Sequence, residues 1–91
     1  MDTHKQSRVE FGDFQTPLEL ARSVCLVISR TGFRPASIIE PTCGTGAFVR
    51  AALEEFSDCL RILGFDLNCT YVDKARAAAA EVSTHASVEI Y

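Results

Sequence analysis

The stretch Ile38-Ile39-Glu40-Pro41-Thr42-Cys43-Gly44-Thr45-Gly46-Ala47-Phe48 decides the fold, because an apolar run ends on a carboxylate and then turns through two glycines into a helical pattern. A strand that hands the chain to a helix through such a loop begins a βαβ unit. Gly44 and Gly46 let the backbone turn tightly and approach a ligand that a β-carbon would push away. The donors to that ligand are expected from backbone amides at the start of the following helix.

Such a loop suits a nucleotide-type cofactor, and two ligand classes compete for it. In a dinucleotide fold the glycines follow G-x-G-x-x-G, and neither register fits. Starting at Gly44 puts Val49 in third place, and starting at Thr42 lacks the first glycine. The pyrophosphate reading is therefore weak. Glu40 at the strand end favours a ligand bearing a positive amine, as S-adenosyl-L-methionine does. The plain alternative is a strand-to-helix turn with no ligand.

Downstream, Ile62-Leu63-Gly64-Phe65-Asp66 is a second apolar run ending on a carboxylate, and Asp66 lies 20 residues beyond Gly46. That distance fits one crossover helix and a return strand, which brings Asp66 to the carboxyl end of the neighbouring parallel strand. There it can accept both ribose hydroxyls of an adenosine moiety, a feature that nicotinamide cofactors and S-adenosylmethionine share. Its bland reading is a strand-end cap on the next helix. Upstream, Phe11-Gly12-Asp13-Phe14-Gln15-Thr16-Pro17-Leu18-Glu19 precedes an amphipathic pattern. Thr16 is expected as N-cap, Pro17 as first helical residue, and Glu19 as the partner closing a capping box. Leu18, Ala21, Val24, Cys25 and Ile28 recur at helical spacing, and Gly32 after Arg30 reads as the stop.

Together the three segments resemble the amino-terminal part of the S-adenosylmethionine-dependent N6-adenine DNA methyltransferases of restriction-modification type. Phe14-Gln15-Thr16-Pro17 is similar to that family's motif X. Ile39-Glu40-Pro41-Thr42-Cys43-Gly44-Thr45-Gly46-Ala47-Phe48 is similar to motif I, and Gly64-Phe65-Asp66-Leu67-Asn68 to motif II. The likeness runs from about Phe11 to Lys74, and the Glu-Pro-x-Cys-Gly-x-Gly-x-Phe form of motif I is its specific part.

The resemblance implies cofactor-binding roles. Within the motif X element of Phe14, Gln15 and Thr16, Thr16 would hydrogen-bond the methionine carboxylate. Glu40 would sit near the amino group. Pro41, Thr42, Cys43, Gly44, Thr45, Gly46 and Ala47 would line the cofactor, and Phe48 would sit beneath the loop or against the methionine arm. Asp66 would hold the ribose, with Leu67 on the adenine face. The family also transfers its methyl group at an Asn-Pro-Pro-aromatic motif, whose aromatic stacks on a flipped adenine. No Asn-Pro-Pro occurs here, since the only asparagine is Asn68, followed by Cys69. The expectation is a truncated product, residues 11–91 forming a partial cofactor-binding domain behind a disordered arm over 1–10, inactive alone. DNA would be held by the absent part of a parent enzyme.

Composition agrees with a piece of an α/β domain. At 91 residues the chain is short for a domain, and 47% hydrophobic with 23% charged residues is ordinary for a globular chain. The four cysteines include no C-x-x-C pair, and the two histidines match no ligand spacing, so no metal site is expected. No apolar run approaches a membrane span and no signal segment begins the chain, which favours a cytoplasmic location with free thiols. Cys43, at a helix start, invites a nucleophile reading, but no histidine stands at a matching place in the sequence and a small loop-lining residue explains it. The net charge is −3, and nine Lys and Arg residues are scattered without a basic stripe. That lacks the footprint of a DNA-gripping surface.

The element order expected is a helix over about 17–31, a strand near 37–40, a helix over 46–57, a strand near 60–66, a helix over 69–83 and a strand from 87. This is the first half of a doubly wound, Rossmann-like parallel sheet of the class I methyltransferase kind, strand order 3-2-1, helices on its faces and a leading helix. The line Val72, Ala75, Ala79, Val82 should lie against the sheet. The first strand would be left with an open apolar side, so self-association through that edge is expected. Two other functions stay open: a non-catalytic remnant or interaction module, and a piece of a protein or RNA N-methyltransferase.

Overall fold

Strands β1 (Ser37–Glu40), β2 (Arg61–Gly64) and β3 (Ser87–Ile90) alternate with helices α1 (Leu18–Arg30), α2 (Ala47–Glu55) and α3 (Cys69–Ala80) in a computed structural model that describes residues 15–91. The expected arm over 1–10, and Phe11 to Phe14 of the motif X segment, lie outside the described residues. All six expected elements are present, β1 at the expected bounds and the three helices and β2 with ends up to three residues tighter. The helices stop at Glu55 and Ala80 rather than 57 and 83, and β2 holds four residues. Terminal turns are where such bounds are soft.

The start of α1 differs from the sequence reading. Pro17, not Thr16, is the N-cap, with φ −60° and ψ 141°, and its carbonyl accepts from the Ala21 amide at 3.1 Å. Among the described residues no side chain caps this end. Glu19 is drawn 2.6 Å from the Arg22 guanidinium one turn on, and a charged partner of that kind outcompetes a neutral amide. The other end follows the sequence: Thr31 and Gly32 donate to the carbonyls of Ile28 and Ser29, with Gly32 at φ +87°.

Both strand pairs are parallel. Ser37 to Glu40 stand opposite Arg61 to Gly64, which stand opposite Ser87 to Ile90, so β2 is central and Glu40, Gly64 and Ile90 end level. Burial alternates along β1 and β2. Ile62 and Gly64 are buried with Ile90, whereas Ile39 on the opposite face is 66% exposed. The helices contact one another in the series α1, α2, α3. Among the described residues they therefore cover one face rather than both, a correction to the expectation. The physical reason is that two crossovers of one hand, stepping in one direction across a sheet, deliver their helices to the same side.

The core is built from small residues on the helices against branched ones on the strands. Ala21 and Cys25 of α1, Val49 and Ala52 of α2, and Ala75 and Ala79 of α3 meet Ile62 and Ile90. The expected α3 line holds, with Val72, Ala75 and Ala79 buried and Val82 partly so. α1 is tied to α2 by Arg22, whose guanidinium reaches both Glu54 carboxylate oxygens at 2.9 and 3.1 Å. Beside β1 lies an apolar groove of about 610 Å³, lined among others by Val24, Ile28, Phe33, Ile38, Phe48 and Phe56. No helix of the described residues is long and apolar enough to cross a membrane.

Candidate functional site

The level ends of the parallel strands place the β1–α2 loop beside the β2–α3 loop, the position where open α/β sheets bind ligands. Two backbone bonds fix the pair: Cys43 donates to the Phe65 carbonyl at 2.8 Å and Phe65 donates to the Glu40 carbonyl at 3.0 Å. Asp66 completes the joint. One of its carboxylate oxygens accepts from the Gly44 amide at 3.0 Å and the other from the Asn68 amide at 2.8 Å.

Every amide from Thr42 to Gly46 has an acceptor inside the chain. Thr42 donates to the Glu40 carboxylate at 3.3 Å and Cys43 to Phe65. Gly44 donates to Asp66, Thr45 to the Gln15 side-chain oxygen at 2.9 Å, and Gly46 to the Cys43 carbonyl at 2.9 Å. The donors expected for a ligand, at the start of α2, are amides other than these. Three acidic or amide side chains, drawn from three separate segments, hold the Thr42, Gly44 and Thr45 amides.

The glycines are explained by the protein's own packing. An ideal β-carbon at Gly44 (φ +54°) would sit 2.3 Å from the Gln15 side-chain oxygen, and one at Gly46 (φ +92°) would sit 2.8 Å from the Ala75 α-carbon. Gly46 is the left-handed N-cap of α2 and the point where α2 presses on α3.

A crevice of about 310 Å³ opens at the strand ends, lined by Pro41, Thr42, Phe65, Asp66, Leu67 and Tyr91. Leu67 is fully exposed at its rim. The Phe65 and Tyr91 rings stack with centroids 5.6 Å apart and planes 23° apart. Tyr91 also donates its hydroxyl to Glu89 at 2.7 Å, which lifts the phenol above its ordinary range and holds the Glu89 carboxyl below its own. The crevice thus joins an apolar wall to a carboxylate floor.

The sequence-derived residues divide between two depressions. Pro41, Thr42, Asp66 and Leu67 line the crevice, whereas Glu40 and Phe48 line the apolar groove on the other side of β1. Gln15 and Thr45 meet behind the loop, Thr16 is half-buried just before α1, and Ala47 begins α2 against the core. Phe14 lies outside the described residues. Cys43 is buried, and burial, then the nearby Asp66 and Glu40 carboxylates, push its thiol upward. An activated nucleophile needs the opposite shift, so that reading is overturned.

Two features went unread in the sequence. Asn68 is the N-cap of α3, its side-chain oxygen accepting from the Thr70 and Tyr71 amides at 2.9 and 3.3 Å. Its signal was plain, an asparagine after a strand end and before a helical run. Tyr91 faces Phe65 because the β2–β3 register carries on one step past Gly64 and Ile90. Among the described residues no group of His, Cys, Asp or Glu side chains is arranged to hold a metal ion.

No family model matches the chain. Over 72 residues, 79% of its length, it is 44% identical to the Type II methyltransferase M.NspV of Nostoc sp., and it spans 15% of that protein's length. Over that stretch the chain is similar to a segment of a type II methyltransferase, which supports the resemblance to the DNA methyltransferases of restriction-modification type.

Proposed function

We propose that this chain is the S-adenosyl-L-methionine-binding segment of a site-specific adenine-N6 DNA methyltransferase, and that its three-stranded sheet is the first half of a class I, Rossmann-like, doubly wound sheet. Residues 11–91 are read as a partial cofactor domain of a cytoplasmic enzyme. The observation that carries this is the state of the Thr42–Gly46 amides, all bound within the chain. A phosphate there would have to displace Asp66 or Gln15, and two carboxylates already stand at the strand ends. A ligand with an amine, a ribose diol and no phosphate suits that environment; a dinucleotide does not.

The residues fit the cofactor in kind. Asp66 would take the ribose hydroxyls from the crevice floor, and Phe65, Leu67 and Tyr91 would face the adenine. Glu40 would attract the amino group, and Thr16 the carboxylate. When bound, the cofactor supplies an electrophilic methyl group on a sulfonium. With no Asn-Pro-Pro in these 91 residues, nothing here would orient a target amine. DNA and the methyl acceptor are assigned to other parts of a parent enzyme. The apolar groove beside β1 favours a second reading, an interaction module that binds a partner or another copy through that edge.

Equilibrium dialysis of the chain with methyl-tritiated S-adenosylmethionine and DNA tests both halves. The expected result is saturable retention, chased by S-adenosylhomocysteine and not by NAD, with no label in DNA. A folded chain that retains nothing, or whose label NAD chases, would refute the cofactor reading.

A further inference from the structure

Gln15 stands outside both depressions, yet it makes the contact that most constrains the glycine loop. Its side-chain oxygen accepts from the Thr45 amide at 2.9 Å, partly buried, across 30 residues of sequence. That oxygen fills the space where a Gly44 side chain would begin, 2.3 Å from an ideal β-carbon. The Gly44 φ of +54° already lies in the left-handed region that side chains rarely adopt. Gln15 adds a second, softer constraint, since the end of its side chain can shift.

The contact has a structural origin. Gln15 sits two residues before Pro17, which is extended at φ −60° and ψ 141°, and α1 is clamped to α2 by the Arg22–Glu54 pair. The start of α1 is thereby aimed at the loop that opens α2. From the other side Asp66 holds the adjacent Gly44 amide at 3.0 Å. The loop is gripped at two consecutive amides by side chains from opposite ends of the fold, and its crevice-facing residues Pro41 and Thr42 inherit that geometry.

We propose that Gln15 is a positioning residue of the candidate cofactor site. It acts through the Thr45 amide, sets the loop that lines the crevice, and packs against Gly44. This rests on the cofactor reading above for its affinity arm and on the contact alone for its exchange arm.

The test compares the chain with Gln15→Met, which keeps the shape and loses the acceptor, and Gln15→Glu, which keeps an oxygen acceptor. Affinity for S-adenosylhomocysteine is read by calorimetry and the Thr45 amide by hydrogen exchange in nitrogen-15 spectra. Gln15→Met should weaken affinity about tenfold and speed Thr45 exchange, with the melting temperature little changed, and Gln15→Glu should restore both. Unchanged affinity and unchanged Thr45 exchange in Gln15→Met would overturn the proposal, as would equal loss in the Met and Glu variants. If the folded parent chain binds no S-adenosylhomocysteine, the cofactor reading fails, and Thr45 exchange alone then decides whether Gln15 holds the loop.

Discussion

An ideal β-carbon at Gly46 would meet the Ala75 backbone at 2.8 Å, and its φ is +92°, so both space and backbone conformation oppose any side chain there. Gly46→Ala should cost roughly 2 to 4 kcal/mol by overpacking and backbone strain together, read as a lower denaturant midpoint. An unchanged midpoint would mean α2 and α3 are not in close contact at this point. The cysteines offer a second residue-scale check. Cys25, Cys43 and Cys59 are buried and Cys69 is exposed, and the Cys25 and Cys43 thiols are pushed upward chiefly by burial. Alkylation followed by peptide mass spectrometry should mark Cys69 first and leave the other three protected until unfolding. Fast labelling of Cys43 would reopen a reactive role for it. At this scale Glu40, Asp66 and both glycines were legible as a ligand-loop signature. Which atoms they would touch was not, because Gln15 and Ala75 lie 29 residues from Gly44 and Gly46 and come close only through helix docking.

The helices differ in how their ends are held. Asn68 caps α3 through two amides, so Asn68→Ala should lower stability by about 1 kcal/mol, measured by chemical denaturation. Among the described residues α1 has no side-chain cap, and it is docked to α2 through Arg22 and Glu54. The Glu54 carboxyl is held below its ordinary range, first by the hydrogen bond from Arg22 and also by Arg50. A depressed carboxylate contributes stability that is present above its unfolded-state value, near about 4.3, and is lost as pH falls through the lower folded value. The stability gap between the chain and Glu54→Gln should therefore persist from pH 7 to about 5 and close below about 4; a gap constant across that span would contradict the assignment. The order and type of all six elements were legible because periodicity and strand-end punctuation are local signals. The cap of α1 was not, since the competition between Arg22 and an amide for Glu19 is settled in three dimensions.

For the whole molecule, the sheet has one face under helices and one face open among the described residues, with Ile39 exposed on the open face. Parallel sheets are ordinarily covered on both faces. Sedimentation velocity should show concentration-dependent association that Ile39→Lys suppresses, and a strictly monomeric parent chain would count against it. The parallel order was readable from the spacing of two carboxylate-ended strands, whereas the one-sided helix layer followed only from the direction of both crossovers. The central claim is that the strand-end crevice receives the adenosine of S-adenosylmethionine. A crystal structure of the chain grown with S-adenosylhomocysteine tests it most directly. The account expects the ribose hydroxyls on Asp66 and the adenine against Phe65, Leu67 and Tyr91; ligand seated in the groove beside β1, with the crevice holding only water, would contradict it.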